Sequence, residues 1–488
     1  MNVNLRFLKC LKISAQQMDE LTVSSAVSRL TSDTYNVNQM LARVQRMGVR
    51  APILLLGGSF MMLRLDVPLA LILASLLPVI CAVVVIVSRW SVPLYLRQQE
   101  MLDETVQTVQ ENVTGVRVIK ALSKTEYEKE RFHRVNDALT AVDRRAGSVT
   151  AITNPFASMV LNLGLTLVLV AGAWRVSSGA CKSGVIIAFM QYFIMILNAM
   201  LSVTRIFIMC TKAESSARRV AQVLRMPRDL APIEDAGTED ADPPHIEFRH
   251  VSFAYPGSGT CLSDLSFTLG HGQTLGILGP TGSGKSTMVS LLLRFYDPDE
   301  GQILLDGRDL RTIPPEELRS RFGTVLQNDF LMEGSISDNI RFFREVSPEH
   351  LRAAADDAQA EFIASCEGGM EGEVLVRGTN LSGGQKQRLL ISRALADDPE
   401  ILILDDASSA LDYRTDALLR RSLRRNHRHT TTVLVAQRIS SLRHADRILV
   451  LEDGALIGSG THEELMRSCA EYRIIACAQM GDGMEAQP

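Results

Sequence analysis

The sequence has no dense run of basic residues, although it holds 51 lysines and arginines in 488 positions. They are spread along the chain and outnumbered by 55 acidic residues, which gives a formal net charge of -4. A nucleic-acid surface needs a basic patch or stripe. The composition therefore predicts that neither DNA nor RNA is a partner.

Metal-ligating cysteine patterns and a secretory leader are also absent. The eight cysteines form no CxxC pair and no Cys/His spacing typical of a zinc site, and several lie in apolar stretches. We expect them to be reduced, structural thiols. The first residues, MNVNLRFLKCLK, contain no long apolar core and no small-residue cleavage site, so no signal peptide is expected.

Long apolar runs are abundant in the first half of the chain. Between residues 51 and 87 the only charges are Arg64 and Asp66, which divide the run into a helical hairpin with a short turn. Two further apolar runs follow, separated by a short polar segment. A membrane span needs roughly 20 residues. Four spans are predicted, at residues 48–63, 67–87, 155–176 and 185–209.

The distribution of lysine and arginine predicts the orientation of these spans. Basic residues are numerous before the first span and in the middle loop, whereas the two short turns hold only Arg64, Arg175 and Lys182. By the positive-inside rule, both ends and the middle loop are cytosolic. The middle loop has helix-favouring sequence that continues the spans into the cytosol. Residues 1–220 are thus expected to form a multi-pass domain of the cell membrane, in contact with the lipid bilayer.

The composition changes after residue 220. Residues 231–244 are acidic, proline-rich and poor in apolar side chains, which predicts a linker over 221–244. From residue 245, short apolar β-type runs alternate with helical segments, as in a P-loop α/β domain. We expect this second domain at 245–480 and a flexible tail at 481–488.

A phosphate-binding loop, GPTGSGKST, directly follows the predicted strand TLGILG at 274–279. Its glycines let backbone N–H groups close around phosphates, while Lys285 reaches the outer phosphates and Ser286 ligates Mg²⁺. A motif match alone can occur by chance, but its place between a strand and a helix favours a nucleotide site. The predicted ATP-binding residues of the loop are Gly279, Thr281, Gly282, Ser283, Gly284, Lys285, Ser286 and Thr287.

Two aspartates follow the apolar strand ILIL at 401–404. Asp405 is placed to hold Mg²⁺ through water, as in other P-loop NTPases. Capping of the following turn is the structural alternative, and the presence of the P-loop favours the metal role. The sequence therefore predicts ATP and Mg²⁺ as cofactors.

A third motif, LSGGQKQR at 381–388, completes the pattern. With the P-loop and ILILDDASSALD, it makes nearly the whole chain resemble the half-transporters of the ATP-binding cassette (ABC) exporters. The resemblance implies an all-α transmembrane domain of the exporter type, followed by a P-loop α/β nucleotide-binding domain with an antiparallel β subdomain and a helical signature subdomain. It also implies ATP hydrolysis coupled to export, since importers usually keep these domains on separate chains.

The same resemblance assigns roles to further residues. Tyr255 resembles the aromatic that stacks on adenine, and Asp412 resembles the dimer-contact aspartate. Gln327 resembles the loop glutamine that senses Mg²⁺ and the membrane domain, and would join Ser286 and Asp405 at the metal. In this family two cassettes face each other head to tail. The residues that would contact the partner's ATP are Leu381, Ser382, Gly383, Gly384 and Gln385.

Two stretches of the membrane half resemble regions around the family's intracellular coupling helices. They are SRLTSD at 28–33 and GVRVIKALSKTEYEKERF at 115–132. Residues 124–130 are expected to approximate the second coupling helix, which in this family docks onto the partner's cassette.

The catalytic positions depart from the family pattern. Asp406 replaces the glutamate that polarises the attacking water, and its carboxylate retreats by about 1.5 Å because it is one methylene shorter. A misplacement of about 1 Å can cost on the order of 100-fold in rate. Gln437 stands where the family has a histidine that contacts the γ-phosphate, and glutamine cannot carry its charge. Slow hydrolysis of bound ATP is predicted.

Heterodimeric exporters of this family explain such a pattern. One subunit has a weak catalytic pair with an intact signature, its partner has the reverse, and this chain resembles the first kind. The expected function is export of a small amphiphilic molecule, drug-like or lipidic, together with a second half-transporter. Val376, which replaces an acidic residue before Arg377, is expected to alter coupling to the membrane domain.

The length of the membrane half also departs from the family. The resemblance places the start of this sequence near the cytosolic end of the second of six spans, and an incorrect start site or a gene fragment explains this more simply than a four-span exporter. The alternatives are therefore a truncated inactive fragment and a nucleotide-binding regulatory subunit without transport of its own. A soluble ATPase is disfavoured by the apolar spans.

Overall fold

The computed structural model describes residues 9–10, 12–227, 230–233 and 243–480. Their contacts divide them into two compact units. The first contains Ser25–Leu224, and the second combines the described residues of Phe7–Ser24 with those of Arg225–Pro488. The predicted tail at 481–488 and the parts of the predicted linker at 228–229 and 234–242 lie outside the described residues.

The first unit is helical throughout its described part. Two π-helical segments, Arg29–Asp33 and Val44–Gly48, interrupt its first helices. The helix Val67–Thr114 has 48 residues and is therefore about 72 Å long, more than twice the thickness of a bilayer core. The helices of this unit are Thr34–Arg43, Arg50–Leu65, Val67–Thr114, Val116–Ala121, Thr125–Ala151, Thr153–Ser177 and Ser183–Arg225, and Val23–Ser28 crosses the unit boundary.

Among the described residues, three helical stretches are long and apolar enough to cross a membrane: Ser25–Leu65, Ser158–Ser177 and Ser183–Met200. Val67–Leu76 is a shorter apolar stretch. The side chains of several residues between 77 and 88 lie outside the description, so the prediction of four spans stays a prediction.

The apolar ends of these helices pack around a buried ion pair. The Asp66 carboxylate accepts a hydrogen bond from the backbone N–H of Leu69 at 3.2 Å and thereby caps the helix Val67–Thr114. Its other oxygen accepts from Nε of Arg175 at 3.0 Å. The pair links the first predicted hairpin to the second. The core beside it consists of Met62, Leu69, Ala70, Leu73, Val168, Phe189, Phe193 and Ile196.

The second unit is built on a six-stranded sheet of order β12-β11-β3-β10-β9-β6. The five strands from β11 to β6 are parallel, and β12 is an antiparallel edge strand. Four of the six strands run as short, almost fully buried apolar segments, as parallel strands covered on both faces do. The strands are β3 (Thr274–Leu278), β6 (Phe322–Val325), β9 (Ile401–Asp405), β10 (Thr431–Val435), β11 (Arg447–Glu452) and β12 (Ala455–Gly460).

An antiparallel sheet of order β2-β1-β4-β5 forms the β subdomain. Its strands are β1 (Ile246–Ala254), β2 (Thr260–Leu269), β4 (Glu300–Leu305) and β5 (Arg308–Asp309), and a small pair joins β7 (Gly334–Ser335) to β8 (Glu373–Val374). The helices of this unit are Ala15–Leu21, Lys285–Leu292, Pro315–Ser320, Ile336–Arg341, Pro348–Asp357, Gly383–Leu395, Tyr413–Asn426, Ile439–Leu442, His462–Ser468 and Ala470–Met480.

The predicted fold class is confirmed: a helical transmembrane domain precedes a P-loop α/β domain with an antiparallel β subdomain and a helical subdomain. The predicted boundary at residue 220 differs from the contact division in one respect. The helix Ala15–Leu21 groups with the nucleotide-binding unit, because Ala15 packs against the β-subdomain core and Asp19 bonds to Tyr296.

Candidate nucleotide-binding site

The P-loop connects β3 to the helix Lys285–Leu292 through a tight backbone turn. Gly282 and Gly284 have φ of 89° and 95°, values that side chains disfavour. A Cβ at Gly279 would lie 2.3 Å from the carbonyl oxygen of Leu451. These glycines therefore allow a closed loop whose backbone approaches a phosphate, with the helix N-terminus behind it.

Lys285 lies folded against this loop. Its Nζ donates to the carbonyl oxygens of Gly279 at 2.9 Å and Pro280 at 2.6 Å. Burial lowers the pKa of Lys285, while the negative charges of Asp405 and Asp406 act in the opposite direction. The buried Oγ of Ser283 has no hydrogen-bond partner in the part of the chain that the structure describes. Both groups offer donors that fit a phosphate.

Asp405 ends β9, where Val435 of β10 is its neighbour in register. The side chain of Ser286 lies near its carboxylate. Burial is the main cause that raises the pKa of Asp405, and the charge of Asp406 adds to it. A hydroxyl and a carboxylate side by side are hard oxygen ligands of the kind that Mg²⁺ prefers. The residues present therefore fit this metal.

Asp406 adopts a left-handed backbone conformation, with φ of 54°. Aspartate tolerates this region better than most residues. Its N–H donates to the carbonyl oxygen of Val435 at 3.0 Å. Burial raises the pKa of the Asp406 carboxyl, and the charges of Lys285 and Arg438 oppose the shift. The structure thus brings Lys285, Asp405 and Asp406 into one electrostatic cluster.

Gln437 is exposed just beyond β10. Its backbone carbonyl oxygen accepts a hydrogen bond from Nε2 of Gln479 at 2.7 Å, and Oε1 of Gln479 accepts from the N–H of Ile439 at 2.8 Å. Gln479 therefore spans the loop that carries Gln437. Sequence reasoning missed Gln479, because nothing in its local pattern indicates this contact.

Tyr255 is half-buried at the end of β1, with its ring edge-on to Phe253 at 5.0 Å and to Tyr296 at 5.1 Å. Tyr296 in turn donates a hydrogen bond to the carboxylate of Asp19. Burial, followed by this hydrogen bond, raises the pKa of Tyr296. Neither Tyr296 nor Asp19 was predicted as part of the site, since no motif contains them.

The signature motif begins the helix Gly383–Leu395. Ser382 caps it, because its Oγ accepts from the N–H of Gln385 at 3.3 Å while Oε1 of Gln385 accepts from the N–H of Ser382 at 2.8 Å. Ser382 and Gly383 are exposed. Among the described residues, no hydrogen bond joins residues 381–385 to the P-loop.

Gln387, just after the LSGGQ signature at 381–385, connects that motif to the loop that follows Asp406. Its Nε2 donates to Oγ of Ser409 at 3.0 Å, and its Oε1 accepts from the N–H of Ala410 at 2.8 Å. Asp412 closes the same loop by capping the helix Tyr413–Asn426 through the N–H of Thr415 at 2.8 Å. Sequence reasoning gave Gln387 no role.

Gln327 is exposed at the start of a loop after β6. The buried Arg393 of the signature helix supports this loop, since its guanidinium donates to the carbonyl oxygen of Phe330 at 3.0 Å. Four apolar side chains are exposed on this loop and on the loop after β8, and we call them the apolar patch: Phe330, Met332, Leu375 and Val376. The two loops are neighbours, because a Cβ at Gly378 would lie 3.0 Å from Leu331.

Two family models match the chain. One describes the ABC transporter, over residues 262–409, and the other the ABC transporter transmembrane region, over residues 4–200. The uncharacterized ABC transporter ATP-binding protein YfiB of Bacillus subtilis is 36% identical over 484 residues, which cover 98% of this chain and 84% of that protein. A fatty acid ABC transporter ATP-binding/permease protein of Mycobacterium bovis is 33% identical over 463 residues, which cover 94% of this chain and 72% of that protein.

A solved structure of a bacterial Atm1-family ABC exporter with ATP bound is similar over 99% of this chain and 85% of that one, with a TM-score of 0.85 and 25% identity. The fold and the site define a membrane protein with an ATP-binding cassette. The chain belongs to the ABC transporter family, as a half-transporter of the exporter type. Its cassette binds ATP on the cytosolic side, and its ATPase activity is coupled to transport.

Proposed function

We propose that this chain is the slow-hydrolysing half of a heterodimeric exporter, whose own site retains ATP and whose signature completes its partner's site. The carrying observation is one cassette in which the P-loop and the LSGGQ signature are intact while Asp406 and Gln437 replace both catalytic side chains. The metal at its own site would be Mg²⁺, held by Ser286, Asp405 and Gln327.

The short carboxylate of Asp406 supports slow hydrolysis. Its backbone is tied to β10 by a 3.0 Å hydrogen bond to Val435, so the main chain is held and the side chain has little means to advance by the missing methylene. A shortfall of about 1.5 Å exceeds the misplacement that costs on the order of 100-fold in rate. Gln437 adds a second loss, because its amide holds no charge for the γ-phosphate.

The exposed signature supports a role at the opposite site. Ser382 and Gly383 lie at the start of a capped helix, whose N-terminus favours phosphate oxygens. Their own P-loop makes no hydrogen bond to them among the described residues. A second cassette facing this one would place its ATP there.

The apolar patch supports docking of a partner's coupling helix beside the Gln327 loop. Phe330 is 54% exposed and Val376 is 58% exposed. A contiguous apolar surface left in contact with water is unfavourable and is typical of an interaction site. The corresponding segment of this chain, residues 124–130, begins the helix Thr125–Ala151 and would dock on the partner in return. Val376 supplies apolar surface there instead of a charge.

The cargo that we propose is an amphiphile with an acyl-like apolar part. A relative with 33% identity carries fatty acid in its name, which supports a lipidic cargo over a polar one. Uptake into inside-out vesicles of a labelled fatty acid and of a labelled cationic dye would separate lipidic cargo from drug-like cargo. Binding of ATP without movement of either compound would favour a regulatory subunit or an inactive fragment.

The deciding experiment co-expresses this chain with a second half-transporter, taken from the neighbouring reading frame if that frame encodes one, and reconstitutes the complex in lipid. We expect Ser382→Ala to abolish most of the ATPase activity, because this serine serves the partner's active site. Asp406→Asn is the matched control and is expected to leave most of the activity, because its own site turns over slowly. Equal loss from both variants, or no effect of Ser382→Ala, would overturn the heterodimer assignment.

A further inference from the structure

Four side chains from distant positions of the sequence come together at the end of the six-stranded sheet where its parallel strands begin. His245 directly precedes β1 and Glu400 directly precedes β9. His271 lies in the turn between β2 and β3, and Asp306 follows β4. The P-loop and Asp405 lie at the opposite end of the sheet, where β3 and β9 end. The cluster is therefore separate from the nucleotide site.

The ligand atoms of this cluster lie within 4.8 Å of one another. Nε2 of His245 is 2.9 Å from Oε1 of Glu400, and Nε2 of His271 is 2.9 Å from Oδ1 of Asp306. The two imidazole rings are stacked, with centroids 3.9 Å apart and planes 11° from parallel. Each ring therefore presents its Nε2 to a different carboxylate of the cluster.

Asp306 carries an unsatisfied oxygen that points into the cluster. Its Oδ1 is buried and has no hydrogen bond of acceptable geometry among the described residues, although Nε2 of His271 is near it. Its other oxygen, Oδ2, accepts from Arg321 at 2.5 Å. A buried carboxylate oxygen without a donor is costly, so a cation at this point would remove that cost.

His245 is held in the orientation that a metal ligand needs. Its ring is fully buried, and its Nδ1 lies 2.7 Å from Oγ1 of Thr431. Thr431 is itself fixed, because its Oγ1 accepts from the N–H of Gly272 at 2.9 Å. A ligating histidine commonly hydrogen-bonds through its second nitrogen in this way, which leaves Nε2 free for the ion.

We propose that this cluster is a binding site for a divalent transition metal of the zinc class, formed by His245, His271, Asp306 and Glu400. Two imidazoles and two carboxylates are a ligand set that Zn²⁺ accepts, at about 2.0 to 2.2 Å from each atom. Tetrahedral ligands at that distance are about 3.3 Å apart. A metal lies in the plane of each imidazole that ligates it, so His271 must rotate out of its stacked position for both rings to face one ion, and its side chain is 61% exposed and can turn.

The contacts of Arg321 support an alternative interpretation, in which the four side chains form only an ion-pair network. Its Nε donates to Oε2 of Glu400 at 2.6 Å and its Nη2 contacts Oε1 of the same residue at 2.5 Å. The guanidinium neutralises one of the two carboxylate charges and explains neither the second imidazole nor the unsatisfied oxygen of Asp306. In the metal-bound site Arg321 keeps its bonds to Oε2 of Glu400 and Oδ2 of Asp306, gives up its contact with Oε1 of Glu400 to the ion, and orients both carboxylates.

The site would join segments that precede β1 and β9, and thus tie the β subdomain to the central sheet. The full-length protein is purified in detergent, its thiols are blocked with N-ethylmaleimide, and it is stripped with EDTA and desalted. It is then incubated with Zn²⁺ and passed through gel filtration. We expect about one Zn²⁺ per chain by elemental analysis, and a rise in Tm of roughly 5 °C at a hundredfold excess over Kd.

His271→Ala is the test variant, because this side chain is largely exposed and its loss leaves the buried core intact. We expect its Kd for Zn²⁺ to rise by at least roughly 100-fold. His250→Ala is the matched control, since His250 is also an exposed histidine beside a carboxylate, with its Nδ1 2.6 Å from Oδ1 of Asp264, and belongs to no metal-ligand cluster among the residues that the structure describes.

A second variant and a spectroscopic measurement distinguish the loss of a metal ligand from misfolding of the variant. Glu400→Gln keeps the size of the side chain and removes a ligand charge, and it should weaken binding as His271→Ala does. Bound Co²⁺ should give the intense visible absorption of a tetrahedral site in the wild type and in His250→Ala. The proposal fails if the stripped wild-type protein retains no Zn²⁺, or if His271→Ala retains as much as the wild type.

Discussion

The hydroxyl of Tyr296 donates a hydrogen bond to the carboxylate of Asp19, a residue 277 positions earlier in the chain. The same tyrosine ring packs edge-on against Tyr255, the predicted adenine-stacking residue, at 5.1 Å. The helix Ala15–Leu21 is therefore joined to the aromatic side of the nucleotide site by one side chain.

Tyr296→Phe should loosen the helix Ala15–Leu21. A helix of seven residues is not stable by itself, so it depends on contacts such as this hydrogen bond, which contributes about 1 kcal/mol. Hydrogen exchange followed by mass spectrometry should show its amides exchanging roughly fivefold faster. Tyr255→Phe, which leaves the Asp19 bond in place, is the control. Unchanged exchange in Tyr296→Phe would show that packing of Ala15 suffices.

Asp406→Glu combined with Gln437→His should raise the ATPase activity of this chain's own site. The longer carboxylate recovers about 1.5 Å and the histidine restores a group that can carry charge, so a gain on the order of 10-fold to 100-fold is expected. Glutamate at the left-handed φ of 54° adds strain of about 1 kcal/mol, which keeps the gain below the family's full rate.

Single-turnover measurement of ATP cleavage, in a complex whose partner has lost its own catalytic glutamate, would detect this gain without interference from the partner's site. Adding Asp405→Asn to the restored protein is the control, because it removes the predicted metal ligand and should abolish the gained activity. If the restored protein cleaves ATP no faster than the wild type, the two substitutions do not explain slow hydrolysis.

Gln479→Ala should speed the release of ATP from this chain's own site. The side chain bonds to the backbone oxygen of Gln437 at 2.7 Å and to the N–H of Ile439 at 2.8 Å. Its removal should destabilise the ordered conformation of this loop by about 1 to 2 kcal/mol. We expect the dissociation rate of a fluorescent ATP analogue to rise roughly fivefold to thirtyfold. Gln479→Glu, which keeps the acceptor for Ile439 and loses the donor for Gln437, should give a smaller effect. Equal rates in all three proteins would contradict the prediction.

Asp66→Asn should destabilise the membrane unit. Asparagine still accepts from the N–H of Leu69, but Arg175 loses its charged partner, and a hydrogen bond to a charged group contributes about 2 kcal/mol. The Tm of the detergent-solubilised protein should fall by several degrees. Arg64→Gln is the control, since Arg64 is exposed and its one polar or ring contact within the described part of the chain is with the Phe60 ring, whose centroid is 5.8 Å from the guanidinium carbon. An equal fall in both variants would mean that the buried pair has no special role.

The fold class and the presence of an ATP-binding cassette could be predicted from the order of residues along the chain. Lys285, Ser286 and the glycines act within one short segment, so their order along the chain carries their function. The prediction for Asp405 rests on the same kind of signal, because an acidic residue that ends a buried parallel strand lies at the end of the sheet that carries the P-loop, here with β10 between β9 and β3. Apolar periodicity separated the helical domain from the α/β domain for the same local reason.

Which distant residues support and surround this site could not be predicted and follows from the fold. Asp19 meets Tyr296, Gln479 meets Gln437, and His245 meets Glu400 because packed helices and sheet edges bring them together. A hydrogen bond depends on distance and angle between two side chains, and neither is encoded in the spacing of residues along the chain. Motifs record contacts made within one segment, whereas these contacts follow from how the whole chain folds.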